Sequence, residues 1–210
     1  MIALHTAVQQ LRSMGCDPVR HRECLSWGDY PTCRRLFEEA FRRVDNSVVE
    51  FKFLPEYEHV VRWMMNTKGR GLLLRGDCGR GKSTILTGVI PLLLHLHEGV
   101  AVRAVHSERL LDPCRVTWVT EKRDVTNLDY LMNTRFPIID EMGVEQLANN
   151  YGLRFDPIPQ VLNTAEQRLR HTFLSTNLTL HDLLRRYDQR SLDRMLHLCT
   201  LVEFRGESLR

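Results

Sequence analysis

Short apolar runs alternate with longer amphipathic stretches over most of the chain, and this alternation sets the expected architecture. Gly71 to Arg75 (Gly-Leu-Leu-Leu-Arg) carries apolar side chains at consecutive positions, as a strand covered on both faces requires. Further apolar runs follow at Val100 to Val105, Phe136 to Ile139, Thr172 to Leu174 and Leu201 to Phe204. Between them lie segments of helical periodicity, such as Ile158, Val161, Leu162, Ala165 and Leu169. Strand and helix in turn predict an α/β fold, a parallel sheet flanked by helices. Cys114 to Thr120 reads equally well as an edge strand or as loop. Pro91 stands inside the helix expected after Lys82. It is expected to end or kink that helix near Ile90, because proline lacks an N–H and crowds the carbonyl four residues back.

Upstream of these runs the pattern is helical. Leu4, Val8 and Leu11 share one face, Leu36, Ala40, Phe41 and Val44 lie on a second helix starting near Pro31, and Tyr57 to Met65 reads as a short third. The character of the sequence changes near Phe53, which predicts a small helical appendage over residues 1–52 and a main domain over residues 53–210. A length of 210 residues with 43% hydrophobic and 26% charged side chains fits that division and excludes a disordered or fibrous chain. The net charge of +3, from 29 basic and 26 acidic residues, gives no broad positive field, so any nucleic-acid contact must be local.

No run approaches the roughly 18 apolar residues of a membrane span, and Met1 to Gly15 lacks the pattern of a secretory signal. A cytoplasmic protein with no membrane partner is therefore expected. Six cysteines scattered through the chain do not form a secreted disulfide framework. Cys16, His21, Cys24 and Cys33 leave two readings, a zinc site or reduced thiols. A strong zinc signal has two tight ligand pairs and this segment has one, which favours thiols.

The candidate chemistry begins directly after the Gly71 to Arg75 run. Gly76, Asp77, Cys78, Gly79, Arg80, Gly81, Lys82 and Ser83 match the pattern of Gly, four residues, Gly-Lys-Ser/Thr between a strand and a helix, and Thr84 continues into that helix. Such a loop turns backbone N–H groups inward around phosphate oxygens at a helix N-terminus, which predicts ATP as cofactor. Lys82 would reach the β/γ oxygens and the Ser83 hydroxyl would ligate Mg²⁺. A second strand, Phe136 to Ile139, ends in Asp140 and Glu141. Adjacent side chains at a strand end diverge, so Asp140 is predicted to hold Mg²⁺ and Glu141 to act as general base on the attacking water. A third strand ends in Ser175, Thr176 and Asn177, and Asn177 is expected beside Glu141, orienting that water.

Taken in order, Gly-Asp-Cys-Gly-Arg-Gly-Lys-Ser, Ile-Ile-Asp-Glu-Met-Gly, Ser-Thr-Asn-Leu, Arg-Tyr-Asp-Gln-Arg-Ser-Leu-Asp-Arg-Met and Phe-Arg-Gly-Glu-Ser-Leu-Arg resemble the AAA+ ATPases of the DnaC helicase-loader type over about residues 53 to 210. The transposition ATPase IstB is a close relative of that group. The resemblance implies a P-loop core with a five-stranded sheet and no C-terminal helical lid, ATP-dependent homo-oligomers, and action in DNA replication on a replicative DnaB-type helicase and single-stranded DNA. The IstB-like alternative would instead recruit a transposase on DNA. By the same resemblance Arg194 falls where a neighbouring subunit's γ-phosphate would be contacted, with Arg190 on the same helix face as the alternative, and Arg210 falls where an arginine reports on nucleotide within its own subunit. Single-stranded DNA binding is expected to be weak and salt-dependent, with Arg103 to Arg123, including Arg109, Arg115 and Arg123, as the contact region. Asp77, Cys78, Arg80, Pro91 and the first 50 residues depart from the family's pattern, and the departures bear on the partner more than on the ATPase.

Overall fold

The computed structural model describes residues 2–15, 21–45, 51–114, 125–145, 148–150 and 153–208. Five parallel strands form the central sheet: β1 (Gly71–Gly76), β2 (Val105–His106), β3 (Ile138–Met142), β6 (Phe173–Thr176) and β7 (Cys199–Phe204), in the spatial order β2-β3-β6-β1-β7. A small antiparallel hairpin, β4 (Ala148–Asn150) with β5 (Leu153–Phe155), follows β3. In β1, Leu72, Leu73 and Leu74 are all completely buried, as a strand between two helical layers must be.

The two faces of the sheet carry separate cores. Leu72 and Leu74 face a layer made by α2 (Tyr30–Val44), α3 (Pro55–Met65) and α5 (Ile90–Glu98). Leu73 faces the opposite layer, made by α6 (Asn127–Asn133), α7 (Pro157–Gln167), α8 (Leu180–Tyr187) and α9 (Gln189–Leu198). Helix α1 (Ile2–Ser13) carries Leu11 exposed, and Met14 just beyond it is exposed as well. Leu25, Cys33, Phe37, Ala40 and Phe41 are buried in the same core as Leu72 and Leu74. The rings of Phe37, Phe41, Phe51, Phe53 and Tyr57 pack at centroid distances from 5.2 to 6.4 Å. Each buried ring contributes on the order of 1.5–3 kcal/mol, so residues 25–41 are bound into the sheet's core by a continuous aromatic layer.

Three expectations need correction. The run Val100 to Val105 pairs only at Val105 and His106, against Ile139 and Asp140. Its apolar alternation has another cause, because Val100, Val102 and Ala104 pack on the core without a ladder partner. Pro91 neither ends nor breaks the helix after the loop. That helix runs through α4 (Lys82–Thr84), a π-helical turn (Ile85–Val89) and α5, and the Ile90 N–H bonds back to the Ile85 carbonyl. The widened turn makes room for the proline ring, and the Thr87 hydroxyl donates to the Ser83 carbonyl at 2.8 Å. Arg185, Arg186, Arg190 and Arg194, whose sequence reads as one helical stretch, lie on two helices, because Asp188 takes a positive φ of 77° between them and its side chain caps α9 at the Ser191 N–H. Arg185 and Arg186 therefore belong to α8, and Arg190 and Arg194 to α9.

Cys33 is buried and its thiol donates to the Gly28 carbonyl, whereas Cys24 is exposed and donates to Asn66. Cys16 lies outside the described residues, and among these no group of three His, Cys, Asp or Glu side chains converges on a metal position. Residues 115–120 of the undecided strand-or-loop segment also lie outside them. No helix among the described residues is long and apolar enough to cross a membrane.

Candidate functional site

The loop from Gly76 to Ser83 joins the carboxyl end of β1 to the amino end of α4, at the sheet's carboxyl edge, where β1 lies between β6 and β7. Gly76, Gly79 and Gly81 all have positive φ, the backbone such a loop needs to turn its N–H groups inward. At Gly76 the requirement is doubled: φ is 129°, and a Cβ there would lie 2.0 Å from the Phe204 carbonyl oxygen. Gly76→Ala is expected to cost about 3 kcal/mol, from overpacking plus left-handed strain, by prising β1 from β7. Urea denaturation of the variant measures this, with ATP affinity falling in parallel.

Lys82 is buried, and its ammonium donates to the carbonyls of Gly76 (2.8 Å) and Asp77 (2.6 Å). Burial lowers its pKa, while Cys78, Asp77, Asp140 and Glu141 pull it back up. Asp140 is buried at the end of β3, accepting hydrogen bonds from Ser83 Oγ (3.3 Å) and Ser175 Oγ (2.5 Å). Glu141 diverges from it. The register between β3 and β6 shifts between Ile139 and Met142, and within that bulge Glu141 adopts a φ of 61°. Its backbone is fixed on both sides, the N–H donating to Ser175 Oγ (2.8 Å) and the carbonyl accepting from Ser107 Oγ (2.6 Å). The carboxylate, 43% exposed, lies between His106 Nε2 at 2.8 Å and Asn177 Nδ2 at 3.4 Å. A non-glycine residue held at positive φ by four neighbours is the kind of strain that accumulates at functional sites.

The side chains of the other predicted residues are placed as follows. Arg80 is buried, with Nε 2.5 Å from Glu56 Oε1 and Nη1 donating to the Glu207 carbonyl, so its side chain clamps the back of the loop to α3. Thr84 Oγ1 lies 3.3 Å from Asp45 Oδ2 at the end of α2. Cys78 is exposed. Arg194 Nε donates to Glu166 Oε2 on α7 at 2.8 Å, which lowers the Glu166 pKa, while Arg190 is exposed at the start of α9. Arg115, Arg123 and Arg210 lie outside the described residues. Arg103 and Arg109 line a cleft of about 790 Å³ that reaches Asp140 and His106.

Two contributions were not anticipated from sequence. His106, at the end of the two-residue β2, grips Glu141, and a lone histidine beside a short edge strand gives no signal of this. The segment from Phe204 to Ser208 folds over the glycine-rich loop. Asp77 N–H donates to the Phe204 carbonyl, and Gly206 N–H donates to the Asp77 carboxylate, both at 2.9 Å.

Compared with solved structures, the chain superimposes on DnaI with a TM-score of 0.54 at 20% identity, over 81% of this chain and 93% of that one. On the DnaC helicase loader the TM-score is 0.54 at 16% identity, over 79% and 98%. The chain has the fold of DnaI and of the DnaC helicase loader. AMPPCP-bound DnaA from Aquifex aeolicus is similar at a TM-score of 0.50 and 14% identity, over 75% of this chain and 49% of that one. No protein-family model and no curated protein matches the chain by sequence. The parallel sheet expected from the sequence is present, with the five strands that the resemblance implied, and the loop, Asp140, Glu141 and Asn177 all lie at its carboxyl edge, where open α/β sheets bind ligands.

Proposed function

We propose that the chain is an ATP-binding and ATP-hydrolysing AAA+ protein that loads a replicative DnaB-type helicase during DNA replication. The observation that carries the ATPase reading is the convergence of Lys82 and Ser83, at the start of α4, with Asp140 and Glu141 on β3. A buried ammonium on a glycine-rich loop is matched to phosphate oxygens. A hydroxyl and a carboxylate 3.3 Å apart make a hard-oxygen donor set that fits Mg²⁺, so Ser83 and Asp140 are the residues that would hold it. When bound, Mg²⁺ would neutralise charge developing on the phosphoryl oxygens. Glu141 is exposed enough to meet water and accepts its proton, and Asn177 holds that carboxylate in line.

The loader reading rests on the likeness to DnaI and DnaC. Partner contacts are assigned to the segment 1–52, and within it to α1, because residues 25–41 are occupied in the core. Weak single-stranded DNA binding and nucleotide-dependent self-assembly belong to the same proposal.

Glu141→Gln tests the ATPase. The amide keeps the shape of the side chain but cannot accept the proton, so ATP affinity should stay within about twofold while turnover falls by about 10² or more. Equilibrium dialysis and phosphate release measure the two quantities. Retained turnover would remove Glu141 from the base role.

A further inference from the structure

Glu145 follows the catalytic strand and is buried with only 1% of its side chain exposed. Its carboxylate accepts three hydrogen bonds: from the Gly143 N–H at 2.8 Å, the Tyr187 hydroxyl at 2.5 Å and Arg186 Nη2 at 2.9 Å. Arg186 also pairs with Asp156, the residue that caps α7. Burial and the adjacent Glu145 charge push the Tyr187 pKa far up, so the phenol stays a donor. The carboxylate therefore joins two places far apart in sequence. One is the turn that closes the bulge holding Glu141 at positive φ. The other is the end of α8, one residue before Asp188 redirects the chain into α9, the helix that carries Arg194.

We infer that Glu145 is a positioning residue that ties the backbone bearing Glu141 to the α8–α9 junction, so that the hydrolytic carboxylate and the Arg194 helix of one subunit move as a unit. A buried carboxylate with three donors and a charged partner is rigid, since loss of any one donor leaves charge unsatisfied in a low-dielectric interior. A displacement of α9 when Arg194 meets a neighbour's nucleotide is thereby passed to Glu141 of its own site. The inference rests on the ATPase reading above and adds to it a route between adjacent sites.

The test uses the full chain with E145Q, which keeps shape but loses charge, and Y187F, which removes a single hydrogen bond and protects against a folding failure of the first. Turnover in E145Q should fall about tenfold with KM for ATP unchanged, and in Y187F about threefold. Combined with Arg194→Ala, E145Q should slow turnover no further than Arg194→Ala alone, because both losses act through the same helix. Full turnover in folded E145Q, or losses that multiply in the double variant, would overturn the coupling. Hydrogen exchange supplies a readout that does not depend on ATPase activity, so failure of the ATPase reading itself is recognised separately by an inactive parent. In both variants, exchange should rise together in residues 139–145 and 186–194 while α3 is unchanged. A rise in one segment alone, or throughout the chain, would reject the tie.

Discussion

Lys82→Ala is expected to weaken ATP binding by at least about 10²-fold, the largest loss of affinity of any single substitution in the site. The ammonium is held inside the loop by the Gly76 and Asp77 carbonyls, whereas the Arg80 guanidinium is turned away to Glu56. Polyphosphate must replace those two contacts with its own oxygens, which carry full charge, and charge-assisted hydrogen bonds in a partly buried site are the strong ones. Alanine leaves the N–H groups of the loop but removes that point charge. The fold should survive, because the hydrogen bonds of the ammonium go to carbonyls of its own loop, and thermal denaturation should show a midpoint close to the parent's. Lys82→Arg separates charge from shape: its planar fork is longer and cannot occupy the same two carbonyls, so affinity should remain well below the parent's. Equilibrium dialysis with ATP measures all three proteins. Equal affinity of Lys82→Ala and parent would remove the nucleotide assignment altogether.

What the sequence revealed and what it concealed follow from the range of the interactions. The consecutive leucines of β1 and the glycine-rich loop after them are local patterns, and each has one economical structural reading. The strand order is not local, but alternating β and α elements leave few sheets to consider. Pro91 misled because its effect on a helix depends on whether the preceding turn can widen, and the π turn at Ile85–Val89 does so. Val100 to Val105 misled because apolar alternation records packing, which Val100, Val102 and Ala104 have, and not pairing, which begins only at Val105. The grip of His106 on Glu141 joins residues 35 apart, and that of Tyr187 on Glu145 joins residues 42 apart, so neither leaves a mark in any short window. The same holds for Arg80. Its place in the loop motif suggested phosphate, whereas its charge is taken by Glu56 on the helix behind.

Arg194→Ala should bind ATP as the parent does and hydrolyse it about 10³-fold more slowly, the range seen for arginines that reach a transferring phosphoryl group from a neighbouring subunit. The structure offers a reason to choose it over Arg190. Only Nε of Arg194 is engaged, with Glu166 at 2.8 Å, and the terminal nitrogens make no hydrogen bond to the described residues, so the ion pair aims the guanidinium without using its forked end. Arg190 is exposed at the first turn of α9 with nothing among the described residues to orient it, and its replacement should cost less than tenfold. Mixing decides whether Arg194 acts on its own site or on a neighbour's. Lys82→Ala has an intact arginine and no phosphate grip, and Arg194→Ala has the reverse. Neither alone can complete a shared site. A mixed interface can, so an equimolar mixture should recover roughly a quarter of the parent's turnover if subunits pair at random, since about one interface in four then joins the intact halves. Light scattering establishes co-assembly in the same samples. A co-assembled mixture no faster than its components would rule out action on a neighbour's site, and parent-like turnover of Arg194→Ala itself would leave the residue as a brace between α9 and α7 held by Glu166.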